Sequence, residues 1–428
     1  MNKLWHHIGA LNDNVKINYS EPFVEYNHKG MPIRLYRDVN RTEQEWLALS
    51  PADAKEIKRF CNNIRKVQKL SMPVQDIKGV KVTKRSHPPL SLLFHAMRAM
   101  GVMRKYAKIS KNDYAHRFSH KGIRDMFLAI PGGQQGISML FLTMGALSRG
   151  DGGFPEGGSL PFVQRIVDKF TDLGGKILYK THVERIVVEN GKVTGVISGD
   201  THFPADAVIV ASDTMAIEQL FDTLPKCAWL DEMYRKTEPT TCVLVSLGIN
   251  ADLQNYPDRS IFKIKEPIQF ANETFNSLFL NNYANDPHFS PDGKTTLTLQ
   301  LAGDSYDFWK KAKEENRYAE EKQKIADKII EAIVAQIPEA EGKIEIVDVA
   351  TPLTYERYCG NWKGSWMTAI TGSLNINPYP STIKGLDGVY FAGQRIMPPG
   401  GLPPALMTGR MAVQYLCKDT NTLFISEE

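Results

Sequence analysis

The feature that most restricts the fold of this 428-residue chain is a strand, glycine loop and helix near its C-terminus. Residues 388–394 (GVYFAGQ) form a short apolar run that ends in glycine, as a buried strand before a tight turn does. In residues 398–404 (PPGGLPP), prolines stiffen the loop, while Gly400 and Gly401 leave bare main chain that a flat ligand can approach. Pro404 suits a first helical turn, whose positive dipole end favours an anionic group. The segment therefore predicts a cofactor site.

The composition is that of a globular protein, with 42% hydrophobic and 23% charged residues. A net charge of +4 on this length is too weak to indicate nucleic-acid binding, so we expect none. The five cysteines are scattered without a Cys-x-x-Cys pair, which argues against a disulfide framework and a zinc site. Residues 1–15 have no signal-peptide core, and the longest apolar stretch, residues 137–147, is too short to span a bilayer. We expect a cytoplasmic protein, with contact to a membrane surface as an alternative.

The N-terminal third predicts a β-hairpin followed by helices. Residues 21–37 alternate apolar and polar side chains around a turn, as a hairpin does. Thr42 is expected to cap a short helix, and residues 50–53 to begin a longer one. His116 and His120 have the spacing of metal ligands on one helical face, but no third ligand accompanies them, so we expect no metal site.

The middle of the chain alternates helix and strand signals. A glycine loop at residues 150–159 precedes an amphipathic helix, for which Ser159 is the expected cap, although residues 154–159 could also serve as a lid or a turn beside the cofactor. Residues 176–179 predict a strand, and residues 183–197 predict a hairpin. Residues 207–211 are wholly apolar, which is typical of a strand covered on both faces. Residues 240–362 predict an antiparallel sheet interrupted by a helix, which could form a substrate domain.

A stretch rich in leucine and methionine runs through residues 88–106, with basic residues interspersed. Its apolar side chains are Leu92, Leu93, Phe94, Met97, Met100 and Met103. Core packing is the favoured explanation of this pattern. The alternatives are an apolar substrate tunnel and insertion into a membrane surface, with Arg98, Arg104 and Lys105 at the headgroups.

The order of these signals resembles the phytoene desaturase, carotenoid isomerase and retinol saturase group of FAD-dependent oxidoreductases. The matching motifs are FPEGGS (154–159), GGKI (174–177), THVERI (181–186), ADAVI (205–209), ATPLT (350–354), GVYFAGQ (388–394) and PGGLP (399–403). They are spread over nearly the whole chain, and the C-terminal motif is the most specific of them. The resemblance implies an α/β fold with a Rossmann-like, amine-oxidase-like FAD-binding domain, interleaved with an α+β substrate domain that contains an antiparallel sheet.

The resemblance also implies domain limits and cofactor contacts. The substrate domain would comprise residues 1–130 and 226–362, and the FAD-binding domain residues 131–225 and 363–428. The residues expected at the cofactor are Val183, Ala211, Ser212, Gly393, Gln394, Gly400, Gly401 and Leu402. Val183 would contact the adenine side through its backbone, while the C-terminal residues would lie beside the flavin and its ribityl-phosphate arm.

One departure from the group stands out. Its members begin with a strand, a Gly-x-Gly-x-x-Gly turn and a helix that hold the FAD pyrophosphate. This chain has no such fingerprint, because its glycines at 132, 133 and 136 and at 150, 152 and 153 have the wrong spacing and follow no predicted strand. We therefore expect an N-terminally incomplete member of the group that binds FAD less well than a complete one.

The resemblance predicts an enzyme that transfers hydride between flavin and a long apolar polyene or isoprenoid, in desaturation, saturation or isomerisation. No acid or base can be named from the sequence. One alternative is an amine-oxidase-like flavoenzyme with a polar substrate. The other is a non-catalytic remnant that no longer holds FAD.

Overall fold

The computed structural model of the chain describes residues 2–70, 74, 76–83, 90–130, 136–370 and 378–425. Its helices are α1 (Asn2–His7), α2 (Val39–Leu49), α3 (Ala54–Gln68), α4 (Leu90–Tyr106), α5 (Lys111–Ala115), α6 (Lys121–Ala129), α7 (Ile137–Arg149), α8 (Ser159–Asp172), α9 (Ala228–Lys236), α10 (Tyr306–Glu314), α11 (Tyr318–Gln336), α12 (Pro352–Cys359) and α13 (Leu402–Asp419). Its strands are β1 (Ile17–Asn18), β2 (Val24–His28), β3 (Met31–Leu35), β4 (Phe154–Pro155), β5 (Arg185–Glu189), β6 (Lys192–Ser198), β7 (Thr201–Pro204), β8 (Val208–Val210), β9 (Thr237–Thr240), β10 (Cys242–Ile249), β11 (Arg259–Phe270), β12 (Glu273–Asn282), β13 (Thr295–Ala302), β14 (Ile344–Ala350), β15 (Met367–Ile370) and β16 (Val389–Phe391).

The largest layer is a seven-stranded sheet in the order β14-β10-β13-β12-β11-β2-β3. All its pairs are antiparallel except β11 with β2. Side chains of β10 alternate between buried and half-buried, as a sheet covered on one face requires. The buried face packs against α11, chiefly through Ile325, Ile329 and Ile333. The predicted antiparallel sheet with a helix is therefore confirmed, and the N-terminal hairpin joins it.

A second core lies between the N-terminal helices and that hairpin. Trp46 of α2 stacks on Phe60 of α3 at 5.5 Å between ring centroids, and Phe118 stacks on Phe127 of α6 at 5.2 Å. These aromatic residues are buried together with Tyr26 of β2. The apolar spacing on α3 thus places its buried stripe against α2 and α7, as a 3.6-residue period predicts.

The third core belongs to the segment that carries the cofactor prediction. The three-stranded sheet β5-β6-β7 lies beside a two-stranded parallel sheet formed by β8 and β16. The hydrophobic residues between them include Ile186, Val210 and Phe391. Residues that are almost two hundred positions apart are therefore brought side by side at the ends of β8 and β16.

Two strand predictions in this region were wrong. Residues 176–179 do not form a strand, and Leu178 and Tyr179 are 60% and 72% exposed. β8 is a strand, but it is not covered on both faces, because Ile209 is 38% exposed. Residues 176–179 have no hydrogen-bonded strand partner among the described residues, and a strand does not form without one. β8 pairs only with β16 among those residues, so it lies at an open edge of the parallel pair.

Three local predictions were also wrong. Asp38 caps α2, while Thr42 lies inside it and accepts a hydrogen bond from the Tyr36 amide. Gly158 is the N-cap of α8, and Ser159 is its first residue without a capping bond. His116 and His120 do not share a helix, because they flank the turn between α5 and α6. His120 caps α6 by accepting from the Ile123 amide through Nδ1 at 3.3 Å.

Candidate functional site

The predicted strand, glycine loop and helix are present as β16, residues 393–401 and α13. Gly393, Gly400 and Gly401 have φ values of 126°, 96° and 98°, in the region that favours glycine. A Cβ on Gly400 would lie 2.9 Å from the Gln394 side-chain oxygen, so glycine is also required there for space. The backbone conformation of the loop therefore requires these glycines, whether or not a ligand binds.

Two side chains fix the loop to the helix. Gln394 Oε1 accepts a hydrogen bond from the Gly401 amide at 3.0 Å. The Thr408 hydroxyl accepts from the Gly393 amide at 3.0 Å and donates to the Pro404 carbonyl at 2.9 Å. The Gln394 bond closes the loop on the N-cap of α13, and the Thr408–Gly393 bond joins the start of the loop to α13, so the backbone at the helix N-terminus is held in one arrangement.

A buried ion pair holds the loop from the other side. Arg395 donates to both Asp213 carboxylate oxygens, at 2.5 and 2.7 Å, and both side chains are almost fully buried. Ser365 Oγ accepts a further bond from Arg395, and Asp213 accepts from the Trp362 amide. Thr368 accepts a weaker bond, at 3.3 Å. The pair therefore connects the segment after β8, the segment after β16 and residues 362–368.

Open space lies in front of this loop. A Cβ on Gly401 would meet no atom within 4 Å, and one on Gly393 would meet only the Ala211 and Ser212 carbonyl oxygens, at 3.9 Å. Gly401 is the N-cap of α13 and has no side-chain cap. Such a helix end attracts negative charge, and bare main chain admits a planar ring. The residues present therefore fit the ring end of a flavin.

The structure brings together most of the predicted site residues. Ala211 and Ser212 follow β8 next to Gly393, and Gln394, Gly400, Gly401 and Leu402 form the adjoining turn. The Leu402 side chain is 62% exposed. Val183 is half-buried just before β5, and no described contact joins it to the others. The roles of all eight at a cofactor stay predictions, as do the domain limits.

Sequence reasoning missed Asp213, Arg395 and Thr408. Asp213 and Arg395 directly follow the predicted residues Ser212 and Gln394, and Thr408 lies six positions after Leu402, so the sequence marks the neighbourhood but not the pairing. The Arg395–Asp213 bond spans 182 positions, and only the parallel pairing of β8 with β16 shows it.

Two phenols lie in the surrounding structure, Tyr390 buried and Tyr234 half-buried. Burial and the nearby Asp419 carboxylate raise the pKa of Tyr390 to about 12, and its hydroxyl donates to Asp419 at 3.0 Å. Burial also raises the pKa of Tyr234, with Glu218 and Asp213 adding to the effect. Both phenols stay protonated at neutral pH and serve as hydrogen-bond donors.

The part of the site that would hold a pyrophosphate is not found in the described residues. No strand other than β16 pairs with β8 among them, and the glycines at 132 and 133 lie outside the described residues. α8 exposes much of its apolar stripe, with Leu160 and Leu173 at 78% and 79%. Among the described residues, β8 therefore has one unpaired edge beside the site.

The leucine- and methionine-rich stretch forms α4, with its apolar residues divided between two environments. Leu93, Phe94 and Met97 are exposed by 57%, 53% and 59%, whereas Met103 is buried and Met100 is half-buried. The Leu92 side chain lies outside the described residues. Core packing is therefore wrong for the first three.

Two further properties were tested on the described residues. None of the helices in them is long and apolar enough to cross a bilayer. No group of three His, Cys, Asp or Glu side chains among them lies close enough together to hold a metal ion.

Comparison with known proteins gives a family and distant relatives. A family model described as "Flavin containing amine oxidoreductase" matches residues 113–417, well over half of the chain. The chloroplastic prolycopene isomerase of Daucus carota is 25% identical over 276 residues, which cover 62% of this chain and 44% of that protein. All-trans-retinol 13,14-reductase of Danio rerio is 24% identical over 280 residues, which cover 57% and 46%. The match thus spans less than half the length of these relatives.

A solved structure extends the likeness to nearly the whole chain. Wild-type putrescine oxidase bound to putrescine superposes with a TM-score of 0.55 at 15% identity, covering 98% of this chain and 85% of that one. Identity this low shows a shared fold alone. The expected amine-oxidase-like architecture is therefore confirmed.

Proposed function

Because this chain belongs to the flavin-containing amine oxidoreductase family, we propose that it forms the flavin-ring and substrate part of an FAD-dependent oxidoreductase acting on a long apolar polyene. The observation that carries the proposal is the open helix end at Gly401, beside Gly393 and the end of β8. A flavin bound there supplies two-electron hydride chemistry.

The residues of this chain would serve that chemistry by position and electrostatics. Gly393 and Gly401 leave room for the ring, and the α13 N-terminus stabilises negative charge on it. Gln394 and Thr408 keep the loop in place. These contributions need neither a metal ion nor a titrating side chain.

An apolar substrate is supported by the state of Asp213. A carboxylate with a free oxygen close to the ring would favour a polar substrate that carries an ammonium group. Asp213 is the carboxylate that the fold brings to this loop, and Arg395 occupies both of its oxygens. Among the relatives, prolycopene isomerase and retinol reductase are named for polyenes, which agrees with this choice. Isomerisation, saturation and desaturation all remain within the proposal.

We propose a cytoplasmic location, because all five cysteines are unpaired, as is usual in a reducing compartment. Three of them, Cys61, Cys227 and Cys242, are buried as free thiols. Contact with a membrane surface is consistent with a lipid-soluble substrate.

The proposal is tested by loading the purified chain with FAD and incubating it anaerobically with a panel of substrates. The panel contains a cis-configured carotene, retinol and putrescine, each with the flavin either oxidised or chemically reduced. Chromatography of the products and the flavin spectrum are the measurements. Free FAD at the same concentration, without protein, is the control for uncatalysed reaction.

Conversion of a polyene above the protein-free control, with putrescine unchanged, is the expected result. Oxidation of putrescine with unchanged polyenes would replace the proposal by the amine-oxidase-like alternative. Bound flavin without any conversion would also contradict it. A chain that holds no flavin at all would indicate the non-catalytic remnant.

A further inference from the structure

A cleft of about 330 Å³ lies between α3 and α4, away from the proposed flavin site and independent of it. The described residues that line it include Arg59 and Lys66 of α3, and Arg98 and Lys105 of α4, with no carboxylate among them. Each basic pair is separated by seven positions, two helical turns, so both members point to the same side of their helix.

The floor of the cleft contains an unpartnered donor. Asn63 is 5% exposed, and its side-chain Nδ2 has no hydrogen-bond partner among the described residues. A buried amide without a partner costs roughly 1–3 kcal/mol, so such groups are normally bonded to a ligand or to water. Asn63 is one of the residues that line the cationic cleft, so an anionic oxygen is the acceptor that the free amide and the charge both favour.

The opposite wall leaves room for that anion. Gly101 lies in the middle of α4, and a Cβ there would meet no atom within 4 Å. A glycine inside a helix is unfavourable by about 1 kcal/mol relative to alanine, so its presence calls for a spatial reason. The bare backbone between Arg98 and Lys105 would let a phosphate-sized group come close to the helix.

The charges that face the cleft are only partly neutralised. Arg59 forms an ion pair with Glu56 at 2.6 Å. Arg98 lies over the Phe94 ring at 5.5 Å, and Lys105 over the Tyr106 ring at 5.6 Å, and neither contact cancels a positive charge. No ion pair is found for Lys66, Arg98 or Lys105 among the described residues. The cleft therefore keeps a net positive charge.

An apolar ridge continues from the cleft along the same helix. Phe94 and Met97 lie one turn before Arg98 and Gly101, and with Leu93 they form the most exposed apolar part of α4. Exposed apolar side chains next to a cationic cleft match a ligand with an anionic head and a hydrocarbon tail.

We propose that this cleft binds the phosphate of an anionic phospholipid headgroup, while Leu93, Phe94 and Met97 enter the acyl region of the membrane surface. Lys66, Arg98 and Lys105 supply the charge, and the Asn63 amide donates to a phosphate oxygen.

The test is vesicle flotation of the full chain with phosphatidylglycerol in phosphatidylcholine, compared with phosphatidylcholine alone. The charge variant is Lys66→Gln with Lys105→Gln. Its matched control is Lys58→Gln with Arg104→Gln, which removes the same charge from exposed positions on the same helices outside the cleft. Gly101→Leu fills the cleft while favouring the helix.

Binding to anionic vesicles only is expected. The charge variant should bind about 25-fold more weakly, because each lysine near an anionic surface contributes roughly fivefold. Gly101→Leu should also weaken binding, and the matched control should retain most of it. Equal loss in the control pair, or equal binding to neutral vesicles, would overturn the proposal.

A second arm separates a lipid from a free phosphate compound. Glycerol phosphate is titrated against the vesicle-bound protein, and a Phe94→Ser and Met97→Ser variant is floated alongside. Weak competition and reduced flotation of this ridge variant are expected. Complete displacement by glycerol phosphate, with normal flotation of the ridge variant, would show that the cleft takes a soluble phosphate and not a lipid.

Discussion

At the scale of single residues, the site depends on a buried ion pair with no predicted catalytic role. Arg395 and Asp213 each leave water almost completely, which is costly unless every polar atom finds a partner. Arg395 bonds to Asp213, Ser365 and Thr368, and Asp213 also accepts from the Trp362 amide. Because the pair is this well satisfied, its main effect is to fix the loop that begins at Gly393.

We expect either Asp213→Ala or Arg395→Met alone to lower the free energy of unfolding by roughly 3–5 kcal/mol, because each leaves one buried charge unpaired. The double variant should recover most of that loss, since no charge then remains buried. Urea denaturation of the three variants measures the coupling. This account of the pair would be contradicted if the free energy of unfolding of the double variant were no higher than that of the less stable single variant.

At the scale of elements, the parallel pair β8–β16 and the helix α8 present the same situation. β8 has three residues, pairs with one strand among the described residues and leaves Ile209 38% exposed, although parallel strands are normally covered on both faces. α8 packs Phe162 against Trp5 of α1 at 5.4 Å between rings, but it exposes Leu160 and Leu173. Leu160 and Leu173 therefore form an uncovered apolar surface on α8.

This surface should make the isolated chain associate. The variant Leu160→Glu with Leu173→Lys keeps the net charge and suits both ends of the α8 dipole. It should raise the protein concentration at which association begins by at least about tenfold, since burying one leucine contributes roughly 1.5 kcal/mol. Light scattering over a dilution series measures the concentration at which association begins.

The matched control replaces two exposed apolar residues elsewhere, Leu423→Glu with Tyr358→Lys, which are 50% and 74% exposed. If both pairs of substitutions change association equally, the α8 surface has no special part in it.

Much of the secondary structure could be predicted from local patterns in the sequence. The strand β16, the helix α13 and the hairpins at β2–β3 and β5–β6 follow from alternation, turn residues and helical spacing. Residues 176–179 also have a strand pattern, but a strand exists only with a partner, and sequence alone does not supply one. The Arg395–Asp213 pair could not be predicted because it depends on which distant strands align.

At the scale of the whole molecule, three large hydrophobic cores are present among the described residues. The seven-stranded sheet and the N-terminal helices form two of them, and residues around β8 and β16 form the third. The resemblance to carotenoid- and retinol-related enzymes predicted a substrate domain interleaved with an FAD-binding domain, and those domain limits stay a prediction. The cleft between α3 and α4 belongs to the helical core, so membrane contact and flavin binding would use different parts of the molecule.

The central claim is that the loop between β16 and α13 holds a flavin ring. The most direct test is titration of FAD, followed by its fluorescence, against the native chain and two glycine variants. Gly401→Val places a side chain in the space proposed for the ring. Gly342→Val is its control, because Gly342 also has a positive φ (67°) and open space around it, but lies in the turn before β14.

The account predicts saturable FAD binding by the native chain and by Gly342→Val. Gly401→Val should bind FAD at least about tenfold more weakly, because that is the loss expected when one buried ring contact is displaced. Native-like binding by Gly401→Val, or no saturable binding by the native chain, would contradict it.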